Sequence, residues 1–112
     1  MPIKSDDMFT RICKSLKIEK PEPEHKFVKD RRWRIDYAWP SIKLGVELEG
    51  GIYTKGRHVR GKGYANDMEK YNRMAEEGWC LLRYEPTKID WKQIERLYLL
   101  CKIAEDRINH LL

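Results

Sequence analysis

Two alternating stretches, WRIDYAW at residues 33–39 and LGVELE at residues 44–49, are separated only by PSIK. A period of two sends successive side chains to opposite faces of a sheet, and so short a link predicts an antiparallel hairpin. Trp33, Ile35, Tyr37 and Trp39 make one face of the first run; Arg34, Asp36 and Ala38 make the other. In the second run Leu44, Val46 and Leu48 are the apolar face, and Gly45, Glu47 and Glu49 oppose them. A turn at Ser41 and Ile42 sets Asp36 opposite Glu47 and Arg34 opposite Glu49.

Directly opposed side chains lie about 5 Å apart at Cβ. Two carboxylates that close repel each other and push a pKa upward unless a cation joins them. A hard divalent ion such as magnesium takes oxygen ligands and suits that pair. One reading is therefore a metal site of Asp36 and Glu47, with Glu49 as a third ligand or supporting group. The other is a solvated sheet face whose acids pair with Arg34 and Lys43.

Flanking patterns complete an architecture. Ser5, Asp6 or Asp7 caps a first helix running to about Leu16, with Met8, Ile12 and Leu16 at helical spacing. The prolines of EKPEPEHK end it, and residues 25–28 predict a short strand before a turn at Asp30 and Arg31. Residues 64–77 predict a helix with Tyr64, Met68, Tyr71 and Ala75 as its apolar stripe, closed by Gly78. WCLLRY, residues 79–84, is a continuous apolar run suited to a central strand covered on both faces. Thr87 or Asp90 caps a last helix whose inner stripe is Ile94, Leu97, Cys101, Ala104, Ile108 and Leu111. The order is α-β-β-β-α-β-α. The intervening helix is a crossover, so strands 44–49 and 79–84 should be parallel neighbours. At 112 residues, the chain is read as one domain over residues 1–112.

The net charge of +5 points to an anionic partner, for which nucleic acid is the commonest, with solubility alone as the plainer alternative. Residues 54–64, TKGRHVRGKGY, concentrate Lys55, Arg57, His58, Arg60 and Lys62 among three glycines. Glycine lets backbone N–H groups approach phosphates and the cations neutralise them, so this stretch is a candidate DNA-contacting loop; an exposed solubilising loop is the plainer alternative. The GxxxxGK[ST] order of a P-loop is absent. Cys13, Cys80 and Cys101 form no CxxC pair, which argues against zinc and for reduced thiols in a cytoplasmic protein. The longest apolar run, residues 97–101, is far too short for a bilayer, and the N-terminus lacks the hydrophobic region of a signal peptide, so no membrane association is expected.

Asp36, a turn, and VELEGG ending the next strand resemble the PD-(D/E)XK nuclease superfamily. More closely, IDYAWP, GVELEGG, GRH, DMEKYN and GWCLLRY resemble small phage or prophage endonucleases related to the very short patch repair endonucleases. The resemblance covers roughly residues 24 to 86. It implies a restriction-endonuclease-like αβββαβ core, an α/β fold with a mixed sheet flanked by helices, here with an extra C-terminal helix. It implies a magnesium-dependent (or manganese-dependent) DNA endonuclease that hydrolyses phosphodiester bonds, acting in a bacterial cell or phage-infected host. A homodimer that cuts two strands would suit it.

Carried across, Asp36 and Glu47 are the acids of the first and second motifs. Position 49 is lysine in the commonest pattern and is Glu49 here, which can ligate metal but cannot stabilise developing negative charge. His58, Lys62 or Lys70 would then supply the missing cation. His58, Asp67 and Lys70 match a loop histidine and a helix acid and base that sit near the metal in the relatives, and Glu24 matches an upstream acid of some members. The lost lysine leaves a nuclease-fold protein that binds nucleic acid without cutting as the alternative. A basic interaction module whose acids only pair with arginines is the third reading.

Overall fold

The computed structural model describes residues 6–50 and 62–111, the first three residues of the second segment as backbone only. Helix α1 spans Met8–Ser15, and strands β1, β2 and β3 span Glu22–His25, Ile35–Trp39 and Leu44–Leu48. Helix α2 is Lys62–Glu76, strand β4 is Cys80–Tyr84 and helix α3 is Trp91–Leu111. A single 3-10 turn, Pro40–Ile42, joins β2 to β3, with Lys43 in the left-handed region at φ 50°.

The strands form one mixed sheet in the order β1-β2-β3-β4. The hairpin pairs Tyr37 with Val46 and Trp39 with Leu44, antiparallel and in the register expected from the turn. The crossover through α2 makes β3 and β4 parallel, pairing Leu44 with Cys80 and Glu47 with Arg83. The described residues thus form an α/β structure with a four-stranded mixed sheet and three helices.

Helices cover both faces. On one side α1 and α3 bring Phe9, Cys13, Ile94 and Tyr98 against Trp39, Leu44 and Val46. On the other, Met74 of α2 packs on Ile35 and Ala38, ringed by Phe27, Tyr71, Trp79 and Leu81. Asp7 caps α1 by accepting from the Thr10 N–H at 2.8 Å, which satisfies a donor the helix leaves open. Trp39 Nε1 donates to the Glu19 carbonyl at 2.6 Å and so ties the α1–β1 link to the sheet. No helix among the described residues is long and apolar enough to cross a membrane.

Four local expectations are corrected. The first strand is Glu22–His25, not residues 25–28. It contains Pro23 because it is an edge strand, where a missing N–H costs little. Strand β4 is not central: it is last in the sheet order, and Cys80 and Arg83 are exposed. Helix α2 turns Lys70, Tyr71 and Met74 inward and leaves Met68 and Ala75 exposed. Helix α3 buries Ile94 and Tyr98 but overhangs the core, so Ile108 and Leu111 are exposed.

Alternation also breaks within β2. Ile35 joins Ala38 on the α2 side instead of Tyr37 and Trp39 on the other. Gly45 is what admits it. A Cβ on Gly45 would stand 2.8 Å from Ile35 Cγ2, closer than packed carbons tolerate.

Candidate functional site

The β-alternation of β3 sends Val46 into the α1–α3 core and Glu47 toward α2. Glu47 is only 6% exposed, and an anion so buried needs partners. Helix α2 supplies them from consecutive residues. Lys70 Nζ donates to Glu47 Oε1 and, at 2.7 Å, to the Arg34 carbonyl. Tyr71 Oη donates to Glu47 Oε2 at 3.0 Å and lies 3.4 Å from Glu49 Oε1. Strand β4 supplies the rest. Arg83 Nε donates to Glu49 Oε1 at 2.7 Å, and its guanidinium carbon sits 4.3 Å over the Tyr71 ring.

These contacts form one chain: Lys70, Glu47, Tyr71, Glu49, Arg83. Two anions and two cations balance, with a phenol between them. Burial raises the Tyr71 pKa, and the charge of Glu47 and its hydrogen bond raise it further, so Tyr71 stays a protonated donor. Burial alone would lower the Arg83 pKa, but the hydrogen bond to Glu49 and nearby negative charge outweigh it and the group stays cationic.

Asp36 lies at the edge of this chain and not within it. The Cα pairing of β2 with β3 ends at Tyr37 and Val46. Beyond it the Leu48 N–H meets the Asp36 carboxylate at 2.9 Å. A side chain thus takes the place of a ladder acceptor, and Lys70 reaches the Arg34 carbonyl beside it. Asp36 also lines a pocket of about 360 Å³ together with Glu24 and Asp7. Among the described residues no three Asp, Glu, His or Cys side chains converge closely enough to hold one metal ion.

No family model, curated protein or solved structure matches this chain.

Of the residues singled out in the sequence, Glu47, Glu49 and Lys70 meet in one cluster. Asp36 is held next to it by different partners. Asp67 is exposed on α2, with no described residue bonded to it. Lys55, Arg57, His58 and Arg60 lie outside the described residues, as does the side chain of Lys62. The alternative reading, in which the acids pair with Arg34 and Lys43, is corrected among the described residues. There Lys43 donates to the Glu77 carbonyl at 2.6 Å, Arg34 contributes its carbonyl, and Lys70 and Arg83 engage Glu47 and Glu49.

Two members of the cluster escape a reading of local pattern. Tyr71 passes as one apolar position of a helix stripe. Arg83 passes as a flaw in an apolar strand, although an arginine within WCLLRY was a usable signal: in a partly buried strand it needs an acid beside it. The parallel register names that neighbourhood by pairing Arg83 with Glu47.

Proposed function

We propose that this protein is a magnesium-dependent DNA endonuclease of restriction-endonuclease-like fold, hydrolysing phosphodiester bonds. The observation that carries the reading is the buried Glu47, with Glu49 two residues along and a helix lysine, Lys70, bonded to it at the point where β2 and β3 part. The fold assignment has its own support in the α-β-β-β-α-β order, the antiparallel hairpin and the parallel crossover strand.

By chemical type Glu47 and Glu49 suit a hard cation, offering carboxylate oxygens and no soft ligand, while Asp36 stands beside them with one oxygen engaged by the Leu48 N–H. Bound there, magnesium or manganese would lower the pKa of a water and draw charge from the scissile phosphate. The protein's own groups do the rest. Glu47 is oriented by the Tyr71 hydroxyl and Glu49 by Arg83, which fixes where their oxygens point. Lys70 stands where a cation can offset charge that develops on phosphate oxygens, the task left open by glutamate at position 49. Hydrolysis makes one P–O bond to water and breaks one to the leaving oxygen, which takes up a proton. The basic segment with Lys55, Arg57, His58, Arg60 and Lys62 is proposed to hold the DNA backbone, and Asp67 to support the site from α2. A homodimer cutting both strands, at work in the cytoplasm, belongs to the same proposal.

The test is plasmid nicking with magnesium, manganese or EDTA, on wild type, Glu47→Gln and Lys70→Met. Cutting should require the metal and fall roughly a thousandfold in each variant, while circular dichroism stays native. Cutting that survives Glu47→Gln at the wild-type rate would remove the carboxylate from the reaction.

A second reading, a nucleic-acid-binding protein that does not cut, is favoured by one observation: Lys70 and Arg83 already neutralise both acids. Salt-sensitive DNA binding without cutting in any metal would select it.

A further inference from the structure

We propose that Arg83 is a phosphate-binding position, held in reserve by Glu49 and handed to a DNA phosphodiester when the strand arrives. The inference rests on the reading of the protein as one that engages DNA.

Three features of Arg83 lead there. It sits on the edge strand, with its side chain 48% exposed, so a ligand can reach it without opening the core. The Cα register sets it beside Glu47, the most buried acid of the site. Its guanidinium carbon stands 4.3 Å from the centre of the Tyr71 ring, a cation–π contact that helps hold the group in place.

The charge balance supplies the switch. Without a ligand, Lys70 and Arg83 cancel Glu47 and Glu49, and the cluster has no net attraction for a phosphate. An Arg–carboxylate pair that is half open to water is worth little, so exchanging the Glu49 carboxylate for a phosphate oxygen is a cheap step. Arginine binds either partner through the same planar pair of N–H donors. The exchange also frees Glu49, two residues from Glu47, to turn its oxygens to a cation. Lys70 is less suited to this task. It is mostly buried, and it is held by both Glu47 and the Arg34 carbonyl.

The experiment is fluorescence anisotropy with a short labelled DNA duplex in EDTA and again in calcium, across a salt series. Wild type, Arg83→Gln, Arg83→Lys, Glu49→Gln, the double variant and Arg107→Gln are compared. Arg107 is an exposed cation of α3 and controls for bulk charge. Arg83→Gln should weaken binding on the order of tenfold, the scale of one charge-assisted contact. It should lower the log–log salt slope by about 0.9. Arg83→Lys, with the charge but not the fork, should fall between. Glu49→Gln should tighten metal-free binding several-fold, and that gain should vanish in the double variant, because the residue it unmasks is gone.

Affinity and slope in Arg83→Gln matching those of wild type, or a Glu49→Gln gain that persists without Arg83, would overturn the assignment even if the protein cuts DNA. Equal weakening by Arg83→Gln and Arg107→Gln would reduce Arg83 to bulk charge and overturn it as well. A wild type that binds but never cuts would remove the nuclease reading and leave Arg83 standing. A wild type with no affinity for DNA would remove both.

Discussion

Asp7 performs two tasks at once, and they separate by chemistry. One carboxylate oxygen accepts from the Thr10 N–H at the start of α1, and the other accepts from the Tyr37 hydroxyl of β2. Burial pushes its pKa up, but those hydrogen bonds outweigh burial and hold it below the ordinary aspartate value. A depressed carboxylate adds stability above its unfolded pKa and loses it as pH falls through the folded one. Asp7→Asn keeps a good cap but removes the ionisation. Its stability, followed by urea denaturation, should depend less steeply on pH below about 4 than wild type does. Asp7→Ala should in addition cost about 1 kcal/mol at neutral pH. An unchanged acid limb in Asp7→Asn would assign the acid sensitivity elsewhere. The same residue marks how far single positions were legible. Capping needs only local sequence, and Asp7 stood among the candidates. The bond to Tyr37 spans 30 residues and the one between Arg83 and Glu49 spans 34, and neither is set by anything local. Glu47 and Glu49 stood out because an acid in an apolar run is conspicuous anywhere. Their partners come from α2 and β4, and only the tertiary fold brings those elements beside β3.

At the scale of elements, one glycine decides how β2 lies on β3. Ile35 turns to the α2 side and occupies the space above Gly45, and Asp36 then meets the Leu48 N–H in place of a backbone acceptor. Gly45→Ala puts a carbon 2.8 Å from Ile35 Cγ2. The expected cost is about 1–3 kcal/mol, the range for overpacking a dense core. Made in an Ile35→Ala background, which lacks Cγ2, the same glycine change should recover part of that loss, costing less than it does in wild type in thermal or urea melts. No recovery would mean that the strain lies in the backbone and not in this contact. The hairpin itself was readable because alternation and a short link fix both strand type and register. The break at Ile35 was not, since period two assigns it to the face of Tyr37 and Trp39. The first strand was misplaced by prolines that read as punctuation but are tolerated at a sheet edge. WCLLRY read as central because continuous apolar character signals cover on both faces. Here it reflects α2 and α3 packing on a strand that is last in the sheet.

For the whole molecule, the apolar residues of α3 divide into those that hold the fold together and those that do not. Ile94 is fully buried and Tyr98 nearly so, both against Trp39, Leu44 and Val46. Further along, Ile103 is 50% exposed, Ile108 57% and Leu111 86%, while the buried residues of the helix, Ile94 and Tyr98, lie in its first half. Helical periodicity could not distinguish the two halves: the stripe continues after the surface it would meet has ended. Deleting the last turns should therefore be mild where a single truncation upstream is severe. A chain ending at Glu105 should keep its cooperative melt and lose no more than about 1 kcal/mol, since exposed side chains bury little area on folding. Ile94→Ala should lose about 2–5 kcal/mol through lost transfer energy and the cavity it leaves. Urea denaturation of both variants at the same protein concentration checks the contrast. A shortened chain that melts far below wild type only at high protein concentration would reveal that the overhanging face is covered by another molecule in solution. The stability of the fold would then belong partly to an assembly.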